Sequence, residues 1–244
     1  MPKIAMVAAM EREVQPLIAG WHSRERGHEG RTFKFFEKKD NVLVCGGMGG
    51  AAARHATEAV IALYSPAMVC SVGFAGALQP ELKVGDLVVP QRVLDARDGS
   101  SAETAGGTGI LVTVDFVAGK REKIRLAAAY NGLAADMEAA HVARGAQARG
   151  VPFSAVKAIS DDFAFAMPPL QRFVGDDGQF QTSRFVRFAM FRPLLWPQLV
   201  RLARNSRHAA AALSDHLGEM IAKSAPEPGT ASDTGNRWSV VKSR

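Results

Sequence analysis

The chain's 244 residues, 47% hydrophobic and 22% charged, suffice for one large α/β domain or two small ones; they read as one domain, residues 1–224, and a disordered tail at 225–244. A formal charge of +6 and a pI near 9.6 favour anionic partners: nucleotides, phosphate, nucleic acid or an acidic membrane surface. Cys45 and Cys70 have no Cys or His nearby at a metal-ligand spacing, which argues against a metal centre and for two buried free thiols in a reducing compartment.

In chain order, residues 4–8 form an apolar run that reads as a strand, and 12–19 carry a helical pattern. The first run meets Glu11 too early for a signal peptide, and no run reaches membrane-spanning length, so the cytoplasm is the expected location. A second strand is expected at 42–45, followed by the glycine-rich turn Gly46-Gly47-Met48-Gly49-Gly50 and a helix over 51–64. Such a turn lets an anion approach backbone N–H groups at a helix start, with Gly47, Gly49 and Arg54 as phosphate ligands, or it is simply a tight strand-to-helix turn. It also fits a dinucleotide fingerprint, but residues 67–71 hold no acid for a ribose hydroxyl, which argues against an NAD enzyme.

Further strands are expected at 68–72, 87–89, 110–114 and 153–159, with helices at 121–130 and 138–149. These runs lack polar alternation, as strands buried on both faces do. The alternation of strand and helix predicts a three-layer α/β/α domain around a mixed, mostly parallel sheet, with ligands beyond the carboxyl ends of the strands. Residues 97–109, rich in Gly, Ser, Thr and Ala, read as a flexible loop without a packing face. Residues 178–214 contain no Asp or Glu, while six arginines punctuate aromatic and leucine residues, and Pro193 and Pro197 break the run. Its apolar side chains are expected to pack on the sheet while the arginines stay in water. Leu213, Leu217, Met220 and Ile221 follow helical spacing, so a final helix packs on the domain.

Two acidic segments carry the chemistry. Asp136-Met137-Glu138 precedes a helix, and Ile159-Ser160-Asp161 ends an apolar run, so carboxylates from both can meet at one rim of the sheet and do acid/base work. Each also has a plain structural reading: Glu138 suits the first turn of a helix, and a Ser-Asp-Asp run suits a turn.

These segments, with Ala9-Met10-Glu11-Arg12-Glu13-Val14, Val72-Gly73-Phe74-Ala75-Gly76-Ala77-Leu78 and Lys83-Val84-Gly85-Asp86-Leu87-Val88-Val89, resemble the nucleoside phosphorylase and methylthioadenosine/adenosylhomocysteine nucleosidase family over roughly two-thirds of the chain. The resemblance implies cleavage of the N-ribosidic bond of an adenine nucleoside, by water or phosphate. It implies no metal or organic cofactor, with phosphate as an optional cosubstrate. Asp161 then corresponds to the acid that protonates the leaving base, Glu138 to the ligand of the ribose hydroxyls and Glu13 to the base that orients the nucleophile. Met137 walls the sugar, Phe116 and Val117 meet the base, and Ser160 with Phe74, Ala75 and Gly76 completes the substrate site. Nucleosidases carry a small hydroxyl residue where this chain has Phe74, a departure that also suits a nucleoside-binding module without turnover.

Asp176-Asp177-Gly178, Phe191-Arg192-Pro193 and the stretch from Gln198 to Arg207 resemble the hopanoid-associated branch, whose implied substrate is adenosylhopane. The alternative is methylthioadenosine or adenosylhomocysteine. The implied partners are an adenine nucleoside, a lipid-linked substrate or anionic membrane surface at the inner membrane, and a second copy of the chain; no docking motif for specific nucleic acid is present.

Overall fold

The computed structural model describes residues 4–173, 175 and 180–224. The expected tail at 225–244 and the Asp176-Asp177-Gly178 motif lie outside the described residues. The elements run β1 (Ile4–Ala8), α1 (Glu11–Ile18), β2 (His22–His28), β3 (Arg31–Lys38), β4 (Asn41–Cys45), α2 (Gly50–Tyr64) and β5 (Met68–Ala77). They continue through β6 (Leu87–Val88), β7 (Arg92–Asp95), β8 (Ser101–Glu103), β9 (Ile110–Thr113), α3 (Lys120–Tyr130), β10 (Ala134–Asp136), α4 (Ala139–Ala148), β11 (Phe153–Asp161), α5 (Thr182–Met190) and α6 (Trp196–Ser224).

The strands form one mixed sheet, ordered β2-β3-β4-β1-β5-β10-β9-β7-β8, with β11 also paired to β5 and β6 to β11. Its centre is parallel: β1 pairs with β4 and β5, β5 with β11, and β9 with β7 and β10. Hairpins add antiparallel strands at both edges, and β10 crosses the end of β5 antiparallel. Successive β1 side chains point to opposite faces and both faces are covered, which is why its sequence is apolar without alternation. Ala5 and Val7 pack in the core that includes α2 and α4 residues, whereas Ile4, Met6 and Ala8 pack in the one that includes Val14, Ile18, Leu213 and Leu217. A smaller cluster of Leu78, Val112, Val114 and Leu126 seats α3.

Several elements depart from the sequence expectations, among them the short strands β7 and β10. The β2–β3 hairpin is absent from those expectations because β2 is polar and largely exposed, leaving no apolar run. Its turn places Glu29 at φ 47° and Gly30 at φ 74°, the left-handed pair that a two-residue hairpin requires. Residues 97–109 are not a loop without a packing face: β8 pairs with β7 and buries Ala102, since Ala102 alternates with exposed neighbours. The basic segment also differs. No residue of α5 is buried, and Phe191 and Leu194 face solvent rather than the sheet.

The final helix is present but much longer than the spacing of its apolar residues shows, 29 residues. Pro197 sits in its first turn, where the missing N–H costs nothing, so it starts the helix instead of breaking it. Leu213 and Leu217 are fully buried one turn apart, in the same cluster as Val14 and Ile18 of α1. Leu217→Ala is expected to destabilise the chain by about 3 kcal/mol through the cavity it leaves, read as a lower denaturant midpoint with an unchanged slope.

Candidate active site

Three strands end at one place. Gly76 near the end of β5 pairs with Ala135 of β10 on one side and with Asp161 of β11 on the other, across a bulge between Ile159 and Asp161. The turn after β1 delivers α1 to the same rim. These ends line a cavity of about 690 Å³ that takes in Glu13, Phe74, Ala75, Gly76, Phe116, Val117, Met137, Glu138, Ser160 and Asp161. Every residue assigned above to acid, nucleophile, sugar or base therefore shares one chamber.

Glu13 is buried, and its Oε2 has no hydrogen-bond partner among the described residues. Burial first, and then the charge of Glu138, raise its pKa from 4.5 to about 7, against the pull of Lys157 and Arg12. Gly73 makes room for this carboxylate. Its φ is 142°, and a Cβ there would lie 2.6 Å from Glu13 Oε2. Glu138 keeps some contact with the cavity, and its Oε1 accepts a bond from the Gly49 N–H at 2.8 Å. Enclosure and the nearby Asp136 raise its pKa to about 7, again opposed by Lys157.

Asp136 is not part of the cavity's acid/base set, although it touches the lining. Its Oδ1 accepts from Thr113 Oγ1 at 2.6 Å, while Oδ2 accepts from the Ala139 N–H at 2.8 Å and pairs with Lys157 Nζ at 2.9 Å. It caps α4 and neutralises a buried lysine. That lysine is central: burial alone would lower the Lys157 pKa, but Asp136, Glu138 and Glu13 together raise it.

Asp161 has its own cation. Its Oδ2 contacts Lys123 Nζ, both side chains being buried, and Lys123 also donates to the Asp162 carbonyl at 2.7 Å. Ser160 Oγ donates to Asp161 Oδ1 at 2.8 Å. Burial pushes the Asp161 carboxyl above its ordinary range despite the lowering by Lys123 and Ser160. A Cβ on Gly76 would sit 2.8 Å from Asp161 Oδ2 and 3.1 Å from Lys123 Cε, so this glycine clears the space the ion pair fills.

The glycine-rich turn is otherwise engaged. The N–H groups of Gly46 and Gly47 donate to the carbonyls of Ala8 and Ala9, and that of Gly49 is held by Glu138. Gly50 packs so closely on His141 that a Cβ would lie 2.2 Å from its ring. Arg54 pairs with Glu58 at 3.0 Å on the exposed side of α2 and is not in the cavity lining. The structure thus does not bring Gly47, Gly49 and Arg54 together as an anion cradle. At the base end, the Val117 N–H is occupied by Gln171 Oε1 at 2.9 Å.

The sequence reading passed over Lys123 and Lys157. A lysine inside the apolar run Val156-Lys157-Ala158 is itself a signal, because a strand buried on both faces admits a charge only with a partner. Lys123 sits in an ordinary amphipathic helix and offers no such sign.

The chain matches the Phosphorylase superfamily over residues 3–109 and 107–190. A 5′-methylthioadenosine/S-adenosylhomocysteine nucleosidase of Marinomonas sp. is 36% identical over 98 residues, 38% of this chain and 42% of the relative, so that match spans less than half the relative's length. The enzyme of that name from Glaesserella parasuis is 30% identical over 197 residues, covering 65% of this chain and 85% of the relative. Among solved structures, the nucleosidase of Colwellia psychrerythraea with adenine superposes at a TM-score of 0.69 and 21% identity, covering 91% of this chain and 95% of that one. Futalosine hydrolase of Helicobacter pylori gives 0.67 at 20%, covering 91% and 98%. By the extent of these matches, the chain belongs to the phosphorylase superfamily.

Proposed function

We propose that this chain cleaves the N-ribosidic bond of an adenine nucleoside and releases adenine. The observation that carries this reading is the convergence of Glu13, Glu138 and Asp161 from three elements on one cavity. Breaking such a bond leaves positive charge on the sugar and negative charge on the base. Asp161, held protonatable by burial, gives its proton to N7 of the purine as the bonding pair passes from the C–N bond onto the glycosidic nitrogen and into the ring, and Lys123 then stabilises the carboxylate left behind. Glu138 uses the oxygen not bonded to Gly49 to accept from the ribose hydroxyls, and its charge offsets the cationic sugar. Glu13, with a free oxygen and a pKa of about 7, takes a proton from the attacking water as the new C–O bond forms.

Water is favoured over phosphate as the nucleophile because the N–H groups of Gly47 and Gly49, assigned above to phosphate, are already bonded to Ala9 and Glu138. The nucleoside's 5′ substituent is proposed to be large and apolar. The cavity extends beyond the acids along Phe185, Val186, Leu199 and Leu202 of α5 and α6, a wall that suits the adenosylhopane of the hopanoid-associated branch better than a short thioether. Half-buried Phe74 lies within the lining and narrows the chamber without closing it.

Adenine release from adenosine, methylthioadenosine and a lipid-linked adenosine, each with and without phosphate, tests these statements. Release without phosphate, fastest for the lipid-linked substrate, is expected. Release only with phosphate would make the chain a phosphorylase, and tight binding without release would make it a binding module. Asp161→Asn is expected to lose activity by about a thousandfold, and full activity in that protein would remove Asp161 from its role.

The raised pKa of Glu13 also sets a pH dependence. Activity should climb as pH rises through about 7, where Glu13 ionises. Stability moves the other way: the folded chain holds a proton that the unfolded chain releases above its ordinary value of 4.5, so stability present at low pH is lost as pH rises to about 7. Glu13→Gln should therefore be inactive yet more stable than the parent at about pH 8, by on the order of 3 kcal/mol, with the gain gone at acid pH. Chemical denaturation at the two pH values measures this, and a Gln variant less stable at high pH would contradict it.

A further inference from the structure

Six of the eight large hydrophobic side chains that are exposed among the described residues fall between Val186 and Val200. They form the outer corner where α5 turns through Pro193–Leu195 into α6. Leu194 is 95% exposed, Phe191 77% and Trp196 52%. The corner is held in shape: Trp196 Nε1 donates to the Ala189 carbonyl at 2.9 Å, and Arg192 stacks on Phe188 at 3.8 Å. Phe185 and Phe188 turn inward against Phe173, so the outward Val186 and Met190 are left over after α5 has packed.

The charge around the corner is of one sign. Arg184, Arg187, Arg192 and Arg204 are exposed, and no acid pairs with them among the described residues; Arg201 alone in this stretch is balanced, by Asp162 at 2.9 Å. Residues 178–214 contain no carboxylate that could repel an anionic surface. No helix among the described residues is long and apolar enough to cross a membrane.

We propose that this corner is a docking face for an anionic phospholipid bilayer, with Phe191, Leu194 and Trp196 entering the headgroup boundary and the surrounding arginines meeting lipid phosphates. Exposed aromatic and leucine side chains beside arginine are the arrangement by which a surface helix lies in that boundary, and an apolar patch without a partner is otherwise a liability in water. Val186 belongs both to this face and to the cavity lining, so docking sets the apolar arm of the active site against the lipid phase. That link to substrate delivery rests on the function proposed above; the docking itself does not.

The test is flotation of the full chain with vesicles of phosphatidylcholine alone and of phosphatidylcholine with about one third phosphatidylglycerol, at low and high salt. Flotation with the anionic vesicles only, weakened by salt, is expected, and a Phe191→Glu, Leu194→Glu double variant should float about tenfold less. Neither residue lines the cavity, so the variant should release adenine from soluble adenosine as the parent does. Absence of flotation, equal flotation of parent and variant, or a dimer seen in sedimentation that the variant abolishes would overturn the proposal, the last by showing that a second copy covers the face. A parent that floats but releases no adenine would overturn the function proposed above and leave the docking face standing.

Discussion

Two buried ammonium groups make this site possible. Glu13, Asp136 and Asp161 lie almost wholly out of water, with Glu138 beside them, and carboxylates in such a setting repel one another and resist ionisation. Lys157 answers the first group and Lys123 answers Asp161. With four acids and two lysines the balance is deliberately short of neutral. Asp136 is satisfied by three partners, while the pKa values of Glu13 and Glu138 rise to about 7 and that of Asp161 rises as well. Groups poised near neutrality are what proton transfer to a leaving base and from an attacking water requires.

The sheet supplies the convergence. Because β10 runs antiparallel across the end of β5 while β11 runs parallel beside it, Glu138 after β10 and Asp161 at the end of β11 reach the end of β5, where α1 brings Glu13. Two glycines of β5 keep that space open: Gly73 under Glu13 and Gly76 under the Lys123–Asp161 pair. The segment from Gly73 to Gly76 thus makes room for both carboxylates, and Phe74, Ala75 and Gly76 line the cavity as well. Phe74, between the two glycines, is half-buried in the cavity lining.

Much of this was legible in the residues. Runs buried on both faces announce central strands, so β1 and β4, the start of β5, and β9 and β11 were visible, as were α1 to α4. The acids were legible through their motifs. What escaped notice lacked an apolar run or had a misleading one. Polar β2 and three-residue β8 and β10 carry little periodic signal, while α5, which turns Phe185 and Phe188 onto Phe173, lies in a segment whose prolines and arginines hide its start and end. The glycine-rich turn left two readings open, since its composition suits an anion cradle and a tight turn alike; the N–H groups of Gly46, Gly47 and Gly49 serve Ala8, Ala9 and Glu138. Composition cannot report which acceptor an N–H finds. Lys157 was legible as a charge inside a buried strand, whereas Lys123 gave no sign because its partner Asp161 lies 38 residues away in sequence.

The central claim is that three carboxylates act on one nucleoside, each on a different part of it. A crystal structure of the full chain with a non-cleavable adenine nucleoside analogue tests this most directly. The account predicts the ribose hydroxyls on Glu138, the purine ring nitrogen facing Asp161, and an ordered water between Glu13 and the anomeric carbon. An analogue bound outside the cavity, or bound with its base against Glu13 and its sugar away from Glu138, would contradict it.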